Sequence, residues 1–100
     1  MASSKEYLEF IMEQLSGIED VTYRKMMGEY IIYYHGKVIG GIYDDRFLVK
    51  PTVSAREMMP QASMELPYEG AKEMILVDEV DNREFLRDLL DVLYKELPGR

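Results

Sequence analysis

Few side chains in this 100-residue sequence could do acid–base or metal chemistry. His35 is the only histidine, and cysteine is absent, which excludes thiol catalysis, disulfides and zinc ribbons. His35 belongs to a His-Gly pair between two β-rich stretches, where a two-residue hairpin turn is expected. No orienting carboxylate or nucleophile can be identified for it in the sequence. It is therefore interpreted as a turn residue and not as a general base.

The acidic residues form two short clusters that could hold a cation. Asp44 and Asp45 are adjacent, but a hard cation needs many oxygen ligands, usually from a recognisable loop, so a charged turn is favoured. Asp78, Glu79 and Asp81 precede a helical stripe, where carboxylates stabilise the positive end of the helix dipole. The motifs of serine hydrolases, P-loop proteins, dinucleotide-binding proteins and HExxH metalloproteases are absent. No enzyme, metal or cofactor is predicted.

The charge of the sequence bears on its partners. A net charge of −7 argues against direct nucleic-acid binding, because phosphate contacts need clustered lysine and arginine. Residues 21–56 nevertheless carry six lysine or arginine residues against three acids, between acidic flanks. Two interpretations stay open: sheet and helices simply differ in their solvated charge, or a basic face receives an acidic partner.

No part of the sequence indicates a membrane or an export signal. No apolar run approaches the ~20 residues of a membrane span. The first residues lack the apolar core of a secretory signal. We therefore expect a cytoplasmic protein.

Apolar residues at helical spacing predict three helices. The first begins at a capping box formed by Ser3 and Glu6 and is stopped by Gly17. The second is short and spans residues 53–59. The third follows a second capping box that starts at Asp81, and it carries a stripe of leucines.

Between the first two helices the period changes to that of β-strands. Strands are predicted at 21–27, 29–34, 37–43 and 46–50, joined by short turns, and a fifth at 72–77. Gly40 and Gly41 in mid-strand suggest a bulge or a close backbone approach. The order α-β-β-β-β-α-β-α predicts an α+β fold: a two-layer sandwich with an antiparallel sheet of about five strands, in one domain spanning 1–100.

The second predicted strand is apolar on both faces. Tyr30, Ile32 and Tyr34 point one way, whereas Ile31 and Tyr33 point the other way. An antiparallel sheet with a hydrated face normally alternates apolar and polar residues, so something is expected to cover the second face. The third helix, a second copy of the chain in a homodimer, or another protein partner would each do so.

The stretch YRKMMGEY, residues 23–30, is interpreted as the first strand and the first turn, with Met26 or Met27 in the core. Arg24 is its one candidate functional residue. A lone arginine on a strand is commonly solvated or paired with an acid such as Glu29. The alternative is a contact with an anion or a partner at the edge of the sheet.

The same stretch resembles a family signature. Residues 24–30, RKMMGEY, are similar to the R-x-M-F-G-G-Y segment that opens the sheet in the amino-terminal domain of TfoX/Sxy, the bacterial competence regulators. A tyrosine-rich strand, a turn ending in Gly-Lys and the segment DDRFLVK, residues 44–50, continue the likeness. Met27 replaces the usual phenylalanine, Glu29 replaces the usual second glycine, and residues 53–72 match only loosely.

The resemblance implies a two-layer domain with helices against an antiparallel sheet. It also implies a role in gene regulation, since the full-length regulators act with the cyclic-AMP receptor protein at competence promoters. Because the sequence ends at Arg100, the second, carboxy-terminal domain of those regulators is not expected here.

Together these observations predict a non-enzymatic protein-interaction module. It would modulate transcription or competence-type regulation through a protein partner, or it would self-associate as a homodimer. The predicted partner-binding residues lie in the basic, tyrosine-rich part of the sheet: Arg24, Tyr30, Tyr33 and Arg46. The alternative is a small-ligand-binding domain with a pocket between the sheet and residues 60–71, a loop rich in Pro, Met and Tyr that could form a lid.

Overall fold

The structure is a computed structural model that describes residues 3–98. Within this range the elements are α1 (Lys5–Gln14), β1 (Val21–Met26), β2 (Glu29–Tyr34), β3 (Lys37–Ile42), β4 (Phe47–Val49), α2 (Val53–Met58), β5 (Met64–Glu65), β6 (Met74–Leu76) and α3 (Arg83–Glu96). The predicted domain bounds, 1–100, and the interpretation of the first residues extend beyond the described residues. No helix within 3–98 has the length and apolar character needed to cross a membrane.

The strands form one antiparallel sheet with the order β1-β2-β3-β4-β6-β5. The predicted α+β fold is confirmed, with one strand more than expected. The additional strand is β5, which pairs with β6 over two residues. A period of two cannot be recognised in so short a segment. β1 and β5 are the two edges of the sheet.

The tight turns follow from residues that adopt left-handed backbone. Met27 and Gly28 join β1 to β2 with φ of 54° and 85°. His35 and Gly36 join β2 to β3 with φ of 50° and 81°, as expected for a two-residue hairpin turn. The prediction that His35 is a turn residue is confirmed.

An irregularity in β3 matches the expectation from its paired glycines. The register between β2 and β3 shifts at Ile32/Tyr33, where Gly40 pairs with Ile32 but Val38 pairs with Tyr33. Ile39 is therefore an extra residue on β3, as in a β-bulge. A Cβ atom on Gly40 would lie 2.2 Å from a backbone carbonyl oxygen of β4, so this close approach requires glycine.

The caps of α1 and α3 lie one residue later than predicted. Ser4 caps α1, since its Oγ accepts a hydrogen bond from the Tyr7 N–H at 3.1 Å. Asn82, and not Asp81, caps α3. Ser3 was the wrong choice because its side chain bonds to the sheet instead. The helix ends also differ: α1 ends at Gln14, before reaching the glycine expected to stop it, and α2 ends at Met58, one residue early.

The core lies between one face of the sheet and the helices α1 and α3. It is built from buried aliphatic and aromatic residues of these elements, among them Leu8, Ile11, Leu15, Tyr30, Ile32, Tyr34, Ile42, Phe47, Val49, Leu86, Leu89, Leu90 and Leu93. The prediction that Met26 or Met27 lies in the core is wrong, because they are 53% and 97% exposed. Met27 forms the turn, and Met26 pairs with Glu29 and so shares the sheet face that α1 and α3 do not cover.

Candidate functional site

The structure separates the four residues that were predicted to bind a partner. Arg24 is exposed and pairs with Ile31, so it shares the second face of the sheet with Ile31 and Tyr33. Tyr33 is half-buried on that face. Tyr30 points the other way, into the core, and is 7% exposed, so it is not available to a partner. Arg46 lies beyond the β3–β4 turn. The four side chains do not form one surface.

Arg46 is engaged within the chain. Its Nη1 donates to Glu65 Oε1 at 2.7 Å, its Nη2 to the Leu66 carbonyl oxygen at 3.0 Å, and its Nε to the Tyr43 carbonyl oxygen at 3.1 Å. The hydrogen bond from Arg46, supported by one from Ser63, lowers the pKa of the Glu65 carboxyl. The guanidinium joins β5 and the loop after it to the β3–β4 turn. Arg46 therefore has contacts within the chain, and its role as a partner-binding residue stays a prediction.

β1 is an exposed edge strand. It is hydrogen-bonded to β2 only, and five of its six residues are exposed. No salt bridge within residues 3–98 includes Arg24 or Lys25. Tyr23, Met26 and Met27 are among the large apolar side chains that are exposed. We call residues 23–27 the β1 edge: two unpaired cations flanked by an exposed aromatic ring and two methionines.

Glu29, the acid expected to pair with Arg24, binds other groups. Its Oε1 accepts hydrogen bonds from the Ser3 Oγ at 2.6 Å, the Ser3 N–H at 3.1 Å and the Asp44 N–H at 3.2 Å. The Ser3 Oγ in turn accepts from the Asp45 N–H at 3.0 Å. These contacts tie Ser3 to the β3–β4 turn and engage the acid that was expected to pair with Arg24.

The structure places a carboxylate beside His35 that was not predicted from the sequence. The Nδ1 of His35 lies 3.0 Å from Asp20 Oδ2. The ring also packs on Tyr34 and Tyr94, with centroids 4.4 and 5.5 Å apart. The two-residue turn after Met26 sets the register in which residue 20 lies opposite residue 35, so hairpin register was the signal that could have found this pair. Within residues 3–98, no group of three His, Asp or Glu residues is arranged to hold a metal ion.

The second face of the sheet is covered at one end and open at the other. Over β4 it is covered, since Leu48, which points away from the core residues on either side of it, is fully buried. Over β1 it is open. α3 packs on the first face, so it does not supply the cover that was one of the expectations for the second face.

A cleft of about 440 Å³ lies on the second face, between β3 and the loop that follows β5. We call it the β3 cleft. Its apolar walls come from Val38, Tyr43, Pro51, Pro67, Tyr68 and Leu97. It also has three charged lining residues: Lys50, Lys72 and Glu73. The cleft lies where the alternative prediction placed a pocket, between the sheet and residues 60–71.

Comparison with known protein families assigns the chain to one family. The model of the family described as the TfoX N-terminal domain matches residues 13–89. The chain belongs to the TfoX N-terminal domain family. The resemblance predicted from residues 24–50 is thereby confirmed.

The TfoX N-terminal domain match includes every strand of the sheet and therefore the whole β1 edge. A curated relative, described as an uncharacterized 12.7 kDa protein in the trpE 5′ region of Spirochaeta aurantia, is similar to the chain along nearly its full length. The two are 35% identical over 100 residues, covering 99% of this chain and 87% of the relative. No solved structure matches the chain.

Proposed function

We propose that this TfoX N-terminal domain is a non-enzymatic protein-interaction module that acts on transcription through a protein partner. The partner would add an extended acidic segment to the β1 edge. The observation that carries the proposal is that β1, a strand of six residues, is paired on one side only, and that neither Arg24 nor Lys25 forms a salt bridge within residues 3–98. On an edge strand, alternate residues direct N–H and C=O groups outward, where they offer a template for another strand.

The charge of the β1 edge favours an acidic partner over a second copy of the chain. The protein carries −7 overall, so two adjacent unpaired cations are a local exception. Acidic residues on an added strand would form opposite-charge pairs with Arg24 and Lys25, each contributing roughly 0.2–1 kcal/mol. Two antiparallel copies of β1 would instead bring these cations close to their own symmetry mates, and like charges opposite each other are destabilising.

Family membership supports the regulatory part of the proposal. The resemblance to the competence regulators implies action at promoters together with a transcription factor. A domain of net charge −7 would act there through protein contacts and not by binding DNA phosphates itself.

The surroundings of His35 support a role without catalysis. The pair that it forms with Asp20 lies at the surface, with 39% and 56% of the two side chains exposed. Within residues 3–98 the ring packs against two tyrosines and hydrogen-bonds to the Asp20 carboxylate, whereas a nucleophilic site needs a hydroxyl or thiol hydrogen-bonded to the base. We interpret the pair as a contact that fixes the start of β1 against the β2–β3 turn.

The proposal is tested by affinity capture of the tagged protein from lysate of its host, followed by mass spectrometry. The test variant is Arg24→Glu/Lys25→Glu. The matched control is Arg56→Glu/Lys95→Glu, which makes the same change of charge at two exposed helix positions. We expect wild type and control to retain the same partner. The amount of that partner recovered with the test variant should be at least about tenfold lower. Binding should also weaken as salt rises, since the contact is electrostatic.

The captured partner then identifies the docking mode. We expect it to contain an acidic extended segment that, as a synthetic peptide, competes for the domain. Equal capture by the two double variants would overturn the β1 edge as the docking surface. Sedimentation that finds a homodimer disrupted by the test variant would assign the edge to self-association instead, and so would also overturn the acidic-partner proposal.

A further inference from the structure

We propose that the β3 cleft binds a small molecule with a flat apolar ring and one negatively charged group, such as an aromatic carboxylate. This site goes beyond the interaction at the β1 edge, because it lies on other strands and uses other side chains. It rests on the shape of the cleft, on the aromatic and aliphatic character of its walls, and on the charges at its rim.

The walls of the β3 cleft are suited to a flat ring. The rings of Tyr43 and Tyr68 lie side by side, with centroids 6.2 Å apart and planes inclined by 54°. Pro51, Pro67 and Leu97 add apolar surface. Tyr68 is 64% exposed and so has a large apolar area available for contact. A volume of about 440 Å³ is within the range of ligand-binding pockets, roughly 300–1,000 Å³, and such pockets combine mostly apolar walls with a few polar groups.

The charged residues of the cleft favour an anion. Lys50 is half-buried and Lys72 is exposed, and neither takes part in a salt bridge within residues 3–98. Glu73 is the one acid in the lining, so the lining carries a net positive charge in a protein of net charge −7. A carboxylate on the ligand would pair with an ammonium group, and its ring would keep water from part of that pair, which strengthens the attraction.

The cleft is held open by contacts at its margins. The ring of Tyr43 lies against Gly41, where an added Cβ atom would be 2.7 Å from the ring. The same Cβ atom would be 2.6 Å from the Tyr30 carbonyl oxygen, so Gly41 leaves room for the ring only because it has no side chain. Arg46 fixes the loop through the Leu66 carbonyl oxygen. On the opposite side, the Lys37 Nζ donates to the Leu97 carbonyl oxygen at 3.0 Å. A site formed before the ligand arrives avoids the cost of ordering its walls.

A second cleft provides an internal comparison. It measures about 300 Å³ and is lined by Met58, Met59 and Phe85, together with Asp78 and Glu79. Its apolar residues could also contact a ring, but its two carboxylates would repel an anion. An anionic ring compound should therefore bind the β3 cleft with higher affinity than the second cleft. A neutral ring compound should show a smaller difference in affinity between the two clefts.

The test uses two probes of nearly equal shape, indole-3-acetate and its uncharged analogue indole-3-acetamide, titrated against the ¹⁵N-labelled wild-type protein by NMR. Since the protein has no tryptophan, the indole fluorescence of the probes reports binding independently. We expect saturable shifts at Lys50, Tyr43 and Tyr68, and a dissociation constant for the acetate of about 1 mM or tighter. The amide should bind about fivefold more weakly.

Two variants separate charge from shape. Lys50→Met/Lys72→Met should bind both probes with equal affinity, whereas Arg56→Met/Lys95→Met should keep the preference for the acetate. Tyr68→Ala shortens a side chain that is mostly exposed, and should weaken both probes at least about threefold. Each variant is first compared with wild type by its NMR spectrum.

Three results would overturn the inference. They are the absence of saturable shifts up to 10-fold above the expected dissociation constant, equal affinity of the wild type for the two probes, and shifts centred on Met58 and Phe85. None of these three results concerns the β1 edge, so each proposal can be refuted without refuting the other.

Discussion

Adding one methyl group at Gly40 should destabilise the centre of the sheet. The Cβ atom of Gly40→Ala would lie 2.2 Å from the Leu48 carbonyl oxygen and 2.8 Å from the Val49 Cα. These are backbone atoms, which cannot rotate away as a side chain could. Gly40 pairs with Ile32 on one side and with Val49 on the other, so any shift of β3 disturbs both ladders.

The size of the effect follows from these distances. Carbon and oxygen atoms of neighbouring strands approach to about 3.3 Å, so β3 and β4 must separate by about 1 Å. Overpacking of this kind costs typically about 1–3 kcal/mol, and loss of one backbone hydrogen bond adds about 1 kcal/mol. We expect Gly40→Ala to lower the free energy of unfolding by about 2–4 kcal/mol, and Tm by roughly 10–30 °C.

Urea and thermal unfolding, followed by far-ultraviolet circular dichroism, measure the loss. The matched control is Gly17→Ala, where the nearest atom to the new Cβ is the Arg87 Nη2 at 3.7 Å and φ is not left-handed. The control should change stability by less than about 1 kcal/mol, with stabilisation the expected direction. If Gly40→Ala remains within 0.5 kcal/mol of wild type, or matches the control, the account of the β3 bulge is refuted.

Further predictions concern the polar contacts. Arg46→Gln and Glu65→Gln should each lower Tm, and the double variant should lose less than the sum, with a coupling of roughly 0.2–1 kcal/mol in a double-mutant cycle; additive losses would contradict the pair. Because Arg46 lowers the pKa of the Glu65 carboxyl, the stabilisation is complete above the unfolded pKa of about 4.3 and is lost as pH falls through the lower folded value. The Tm of Glu65→Gln should therefore decrease less than that of wild type as the pH is lowered below about 4.3. An equal decrease of Tm in variant and wild type would contradict this. Tyr34→Phe, which removes a 2.9 Å hydrogen bond to Asp91, should cost about 1 kcal/mol. Burial and then Asp91 raise the pKa of Tyr34, so its contribution is lost as pH rises above about 10, and the variant should lose less stability in alkali than wild type.

Local sequence chemistry predicted most of the sheet. The sequence predicted a two-residue turn at His35-Gly36 and a tight reversal at Gly28, because glycine accepts φ > 0, and each turn fixes the register of its hairpin. The same register places Asp20 beside His35, so that pair could have been predicted by counting back from the turn. The cap of α1 was missed by one residue because Ser3 and Ser4 have equal capping propensity, and a distant contact with Glu29 decides between them.

The candidate site was harder to predict than the fold. Alternation groups Tyr30 with Ile32 and Tyr33 with Ile31, but it does not tell which group the helices cover. Tyr30 was therefore assigned to a surface that it does not reach. The partner of Arg46 lies 19 residues away on a two-residue strand, which no local pattern indicates.

Arg24 is the predicted site residue whose exposure and lack of a salt bridge agree with its proposed role. A position on an edge strand cannot be recognised in the sequence alone, because it depends on the order of all the strands. The β3 cleft likewise depends on where the loop after β5 folds back over the sheet.

The most direct test of the account is amide hydrogen exchange across β1, measured in the free protein and in its complex with the captured partner. In the free protein, the β1 amides that point away from β2 should exchange fast, because no strand pairs with that side. Strand addition predicts that these amides become at least about tenfold slower in the complex, and that Arg24→Glu/Lys25→Glu abolishes the slowing. If they stay fast while protection appears elsewhere on the domain, the partner does not dock at the β1 edge and the proposed function is contradicted.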